Sequence, residues 1–200
     1  MKLIVITTET IFEGEAEAIN LLFENGLETL HLRKPFASRQ EMTAFIEQIR
    51  EDFHSRIVLH DHYDLVELLH LKGIHLNLRN QAIFLKKYFS SRSCHSIEDV
   101  SASSFCDYVF LSPVFDSISK IGYKQAFTQQ QLFDAKEQKI INDKVIALGG
   151  ITAENIPTAY LYGFGGVAVL GALWSDFVTD GNINELLIRF KELKNICDTL

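Results

Sequence analysis

Apolar runs of four or five residues recur along the chain. Each is followed by polar or glycine-containing residues and then by apolar positions at helical spacing. Residues 3–7 (LIVIT) are apolar or β-branched throughout, the pattern of a strand covered on both faces. Residues 15–25 place Ala16, Ile19, Leu22 and Phe23 on one helical face, and Asn25-Gly26 reads as a C-terminal stop. Residues 27–32 read as the next strand. Ser38 with Glu41 three positions on is a capping box opening a helix that carries Met42, Phe45, Ile46 and Ile49. Strands are predicted at 57–59 and 74–76, with a helix at 64–71 between them, stopped by Lys72-Gly73. A helix over 80–89, a weak strand at 93–95 and a short helix over 97–105 follow. Residues 108–111 form another doubly covered strand. The second half predicts a helix at 129–140, a strand at 145–148, and a helix capped by Thr152 that ends before Gly163. A strand at 167–170 and a last helix at 184–196 complete the pattern.

About eight strands alternating with about eight helices, joined by short connections, require a parallel sheet. The strand runs are apolar early and late in the chain, with no weak edge, so closure is favoured over an open doubly wound sheet. The expected fold is a single-domain (β/α)8 TIM barrel spanning residues 1–200, with little room for inserted subdomains.

With 47% hydrophobic residues in 200, the chain can bury a large core without disulfides or metal. A net charge of −7 excludes a basic nucleic-acid footprint. No apolar run approaches the roughly 20 residues of a membrane span, and the apolar start is too short for a signal peptide. A cytoplasmic protein is expected. Cys94, Cys106 and Cys197 fit neither a disulfide framework nor a zinc pattern and read as reduced thiols. Oligomeric state is left open, a homo-oligomer included.

In a barrel the ligand lies at the C-terminal strand ends. Those positions collect Thr7, Thr8, His31, Arg33, Lys34, His60, Asp61, His62, His75, Asn77, Ser93 and His95. Later in the chain they add Ser117, Ser119, Lys120, Gly149, Gly150, Leu170 and Gly171. The set is basic and hydroxyl-rich in an acidic protein, which points to an anionic ligand. The glycines at 149–150 and 163–171 end two consecutive late strands, where backbone N–H groups can approach a phosphate.

The segment 107–120, DYVFLSPVFDSISK, is the most specific motif. His31-Leu32-Arg33, Gly73-Ile74-His75-Leu76, Ser93-Cys94-His95, Ala147-Leu148-Gly149-Gly150-Ile151 and Gly166-Val167-Ala168-Val169 accompany it in order. Together they resemble the thiamine-phosphate synthase and thiazole tautomerase superfamily from residue 3 to about residue 173. The resemblance implies a transferase that joins a hydroxymethylpyrimidine diphosphate to a thiazole phosphate and releases pyrophosphate, with Mg²⁺. It implies that Arg33 holds pyrophosphate, Lys120 meets the leaving group and Ser93 contacts the pyrimidine. Ser117, Ser119, Gly149, Gly150, Leu170 and Gly171 would bind the thiazole phosphate, and His31, Lys34, His60 and His95 would line the substrates. Asp61 would ligate the metal, with Asn80 at the second metal position.

This sequence departs from the family pattern at several of these places. His31 stands for a glutamine, Pro35 for a lysine now displaced to Lys34, His60 for an asparagine and Asn80 for the second metal aspartate. Two other readings stay open. One is a metal-independent thiazole tautomerase, whose expected histidine falls at Pro113. The other is a non-catalytic barrel that binds thiazole phosphate.

Overall fold

A computed structural model of the protein describes residues 1–77, 88–116 and 125–200. Eight strands close into one parallel barrel in chain order. They are β1 (Lys2–Ile6), β2 (Thr29–Leu32), β3 (Ile57–Leu59), β4 (Gly73–Leu76), β5 (Phe89–Cys94), β6 (Tyr108–Leu111), β7 (Val145–Leu148) and β8 (Gly166–Val169). β1 pairs with β2 on one side and with β8 on the other, Ile4 opposite Thr29 and Ala168, which removes both sheet edges. The closure expected from the absence of a weak edge is therefore found.

Alternation along each strand divides the side chains between two environments. Outward residues such as Val5, Leu30, Leu32, Ile57, Leu59, Ile74, Val109, Leu111, Val145, Val167 and Val169 join the surrounding helices in one large core. Inward residues of β1 and β6–β8, namely Ile4, Ile6, Tyr108, Phe110, Ile146 and Ala168, form a second, smaller cluster. Between β2 and β5 the inward register instead brings His31, His75, Ser91 and Ser93 into the lumen. The barrel interior is thus apolar on one side and polar on the other.

The outer layer follows the sequence signals closely. Helix α1 (Glu15–Glu24) buries Ala16, Ala18, Ile19, Leu22 and Phe23 and ends where Gly26 takes φ +95°. Helix α2 (Arg39–Ile46) opens on the expected capping box: the Glu41 N–H donates to Ser38 Oγ at 3.2 Å, and the Ser38 N–H donates to Glu41 Oε2 at 2.8 Å. The following elements are α3 (Leu65–Leu68), α4 (Ile97–Ala102), α5 (Gln129–Glu137) and α6 (Ile156–Leu161). Next come the single turns α7 (Gly171–Trp174) and α8 (Phe177–Asp180), and last α9 (Ile183–Thr199). α9 buries Leu186, Phe190, Leu193 and Cys197.

Four local expectations are corrected. α3 stops at Leu68, with His70 at φ 53°, so Lys72-Gly73 does not end it; Gly73 opens β4, where a Cβ would lie 1.9 Å from the Phe89 carbonyl oxygen. β5 begins at Phe89, four residues before the weak strand at 93–95, so Phe89 is no part of a helix; the remainder of the helix expected over 80–89 falls outside the described residues up to 87. Asn155, not Thr152, occupies the N-cap of α6. Its Oδ1 accepts from the Thr152 N–H at 2.9 Å, and its Nδ2–H donates to the Gly150 carbonyl at 2.7 Å. A 3-10 turn at Glu51–Arg56 precedes β3 and was not expected. No helix among the described residues is long and apolar enough to cross a membrane.

Candidate active site

The polar half of the lumen holds a continuous set of side-chain contacts. Ser93 Oγ lies 2.8 Å from His75 Nε2, and His75 Nδ1 lies 2.8 Å from Ser91 Oγ. Ser91 Oγ also donates to the Ile74 carbonyl at 3.5 Å. The Tyr108 hydroxyl meets His31 Nε2, and His31 Nδ1 lies 2.9 Å from His60 Nε2. The His60 and His75 rings stack at 4.1 Å, and Phe110 closes the group 4.7 Å from His31 and 5.0 Å from His75. His31 and His75 are completely buried, and burial is the main reason that both titrate low, His31 well below the ordinary imidazole range and His75 at about 3. Burial likewise pushes the Tyr108 phenol up. All three groups are neutral at physiological pH.

Three of the residues singled out from sequence, His31, His60 and Ser93, belong to this set. His75 stood among the strand-end positions without a role, and Ser91 and Tyr108 were missed. The signal for them is the inward period of two that runs from Ser93 to Ser91 and from Phe110 to Tyr108.

At the rim, the Arg33 guanidinium is held 2.7 Å from Glu9 and is partly exposed. Its backbone N–H donates to Thr7 Oγ1 at 3.0 Å, which ties the end of β2 to the end of β1. Asp61 follows His60 and is half-buried. His95 is exposed, with Nδ1 donating to the Ser112 carbonyl at 3.1 Å. Lys34 is placed elsewhere: it is completely buried, with Nζ 2.6 and 2.7 Å from the two carboxylate oxygens of Glu15, itself completely buried. Burial pushes the Glu15 carboxyl up to about 7 and the Lys34 ammonium down, while their mutual attraction opposes both shifts.

On the opposite side, the loop after β6 is stacked on the loop after β7. The Val114 N–H donates to the Leu148 carbonyl at 2.9 Å and the Phe115 N–H to the Gly149 carbonyl at 3.1 Å. Gly149 and Gly150 have φ +94° and +64°, and a Cβ on them would lie 2.8 Å from Pro113 Cα and 2.2 Å from the Asp116 carbonyl oxygen. Only glycine admits both the left-handed backbone and this approach. The Ser112-Pro113 peptide is cis. Leu170 caps the single turn opened by Gly171, and the Trp174 indole N–H of that turn donates to the Ile6 carbonyl at 2.9 Å. Asn80, Ser117, Ser119 and Lys120 lie outside the described residues.

A closed parallel barrel of eight strands, with a basic side chain at the end of β2 and paired glycines after β7, defines a (β/α)8 protein with these groups at the C-terminal strand ends. Comparison with known proteins makes the assignment specific. The family profile described as thiamine monophosphate synthase matches residues 3–173, and the chain belongs to that family. A thiamine-phosphate synthase of Bacteroides fragilis is 26% identical over 188 residues, covering 84% of this chain and 89% of the relative. A crystal structure of thiamine phosphate pyrophosphorylase from Bacteroides thetaiotaomicron is 42% identical, covers 99% of this chain and 98% of its own, and superposes with a TM-score of 0.90. The Pyrococcus furiosus thiamine phosphate pyrophosphorylase, at 22% identity and a TM-score of 0.76, shares the fold.

Proposed function

We propose that this protein is a thiamine-phosphate synthase, a transferase joining hydroxymethylpyrimidine diphosphate to thiazole phosphate with release of pyrophosphate. The observation that carries the reading is the 42% identity over 99% of the chain to a thiamine phosphate pyrophosphorylase. In this reaction the bond from the pyrimidine methylene to the diphosphate oxygen breaks, and the thiazole nitrogen captures the carbocation left behind. Charge separates in the transition state, so fixed cations beside the departing pyrophosphate lower the barrier.

Arg33 is suited to that work. Glu9 and Thr7 fix its position at the rim without burying it, and Lys120 would act beside it. Ser93, oriented by His75, would meet the pyrimidine ring, with His31, His60 and His95 around the substrates. Lys34 would act on the substrates only through the loop its ion pair with Glu15 fixes. Ser117, Ser119, Gly149, Gly150 and the Leu170–Gly171 backbone would hold the thiazole phosphate. Asp61 supplies a hard carboxylate oxygen, the donor type that Mg²⁺ takes, and Asn80 would add a neutral oxygen, leaving the other positions to diphosphate and water. Bound there, Mg²⁺ would neutralise charge on the leaving pyrophosphate. The tautomerase reading is disfavoured because Pro113 carries no titratable group and packs on Gly149.

The test is incubation of the purified protein with both substrates and Mg²⁺, with thiamine phosphate and pyrophosphate measured together. Turnover that falls about 100-fold or more in Arg33→Ala and Asp61→Ala is expected. Absence of product from the unmodified protein would refute the reading.

A further inference from the structure

The carboxylate at Asp61 suits a hard ion, whereas the nitrogen cluster beneath it suits a different one. Among the described residues, His31, His60 and His75 each bring one ring nitrogen within 4.8 Å of the others. We propose that these three imidazoles form a site for a divalent transition ion of the Zn²⁺, Co²⁺ or Ni²⁺ type, separate in ligand chemistry from any Mg²⁺ held by Asp61. The proposal does not rest on the synthase reading.

The hydrogen bonds behind the rings set up the donor atoms. The Ile74 carbonyl can only accept, and the Ser91 O–H points at it from 3.5 Å. That leaves Ser91 Oγ to accept from His75 Nδ1–H. On the other side the Tyr108 hydroxyl holds His31 Nε2. The opposite nitrogen of His75, Nε2, is left with a lone pair, and His31 presents one at Nδ1 in the tautomer that donates from Nε2 to Tyr108. A ligating histidine commonly has its other ring N–H anchored in this way. Both lone pairs are now met by displaceable donors, His60 Nε2–H at 2.9 Å and the Ser93 O–H at 2.8 Å.

An ion would take their place. Two nitrogens about 2.0–2.1 Å from one ion at a tetrahedral angle stand roughly 3.3 Å apart, so the His31–His60 gap has to open by about 0.4 Å. Ligation through Nε2 requires that His60 carry no proton there. The His75 donor atom lies within 4.8 Å of the other two and has to close on them. Three neutral nitrogens suit borderline ions and suit Mg²⁺ poorly. The fourth position would face Ser93 and the barrel mouth, the arrangement of a three-histidine site with one open place.

The test uses the full chain without a purification tag, stripped with chelator and titrated with Co²⁺ at neutral pH. One equivalent of Co²⁺ should raise the intense visible band of tetrahedral coordination. Zn²⁺ should bleach that band, and excess Mg²⁺ should leave it unchanged. His75→Ala should abolish the band, and Tyr108→Phe, which keeps the fold and all three imidazoles, should weaken Co²⁺ binding about tenfold or more. A stripped wild-type protein with no such band, or an undiminished band in His75→Ala, would overturn the site and leave the cluster as a hydrogen-bonded network alone.

Discussion

The Lys34–Glu15 pair allows the sharpest prediction about stability. Both side chains are completely buried, and Nζ touches both carboxylate oxygens at 2.6 and 2.7 Å. Lys34 has two further acceptors, the Thr10 carbonyl at 2.8 Å and Thr8 Oγ1 at 3.4 Å. Glu15→Gln keeps the shape and one oxygen but leaves a buried ammonium without its counter-charge. Removing one member of a buried pair typically costs about 3–5 kcal/mol; the retained oxygen and Thr10 place this variant near the lower end, at about 3 kcal/mol. The double variant Glu15→Leu, Lys34→Met removes both charges at similar volume and should be within about 1 kcal/mol of wild type, or more stable.

Urea unfolding of the wild type, Glu15→Leu, Lys34→Met and the double at pH 7.5, with Glu15→Gln alongside, would give the coupling energy of the cycle. The pH dependence supplies an independent sign. The folded-state pKa of Glu15 is raised from 4.5 to about 7, so the folded state holds a proton that the unfolded chain has released. This contribution is fully present below about pH 4.5 and is lost as pH rises through about 7. Glu15→Gln should therefore flatten the fall in stability across that window. A cost under about 1 kcal/mol for Glu15→Gln, or a double variant no better than the single, would refute the account of the pair as buried and mutually dependent.

Gly150→Ala places a Cβ 2.2 Å from the Asp116 carbonyl oxygen at φ +64°, so the loops after β6 and β7 must separate. A loss of about 2 kcal/mol or more in chemical denaturation is expected, with a raised KM for thiazole phosphate; an unchanged KM would remove the glycine pair from the phosphate site. His54 is buried with Nδ1 3.0 Å from the Leu69 carbonyl and Nε2 3.0 Å from the Ile49 carbonyl, so it bridges the ends of α2 and α3. His54→Ala should cost about 2–3 kcal/mol, because the buried ring leaves a cavity and a helix-end carbonyl loses its donor, while kcat stays unchanged.

Much of the fold was legible because it depends on strands buried on both faces. LIVIT, YVFL and VIAL need no context to be read as such. β5 was read short because its sequence, FSSRSC, turns Ser91 and Ser93 toward His75 and carries little apolar signal. The turns α7 and α8 have four residues each, too few for a periodic pattern, and are held by packing such as the buried Trp174. The paired glycines and the basic strand ends were legible as candidates, but their depth was not. Whether a histidine beside a strand end faces the mouth or the lumen is set by register, and a one-residue change reverses it. His31 and Lys34 show the consequence: three positions apart, one enters the lumen and the other folds back under α1 onto Glu15.

The division of the barrel interior explains how such a polar lumen is tolerated. Burying unpaired imidazoles and hydroxyls costs several kcal/mol for each group, so a polar lumen is stable only where each donor meets an acceptor. Here the chain from Ser93 to His60 meets that condition with side chains from four neighbouring strands, β2 and β4–β6, and the residue that follows β3. The apolar half and the helix-covered outer faces supply the hydrophobic stabilisation. Changes in the polar half therefore act mainly through hydrogen bonding, whereas changes on the outer faces act through packing. The polar half can vary its chemistry as long as its donors and acceptors stay matched. That is how histidines come to occupy positions 31 and 60 while the barrel around them is retained.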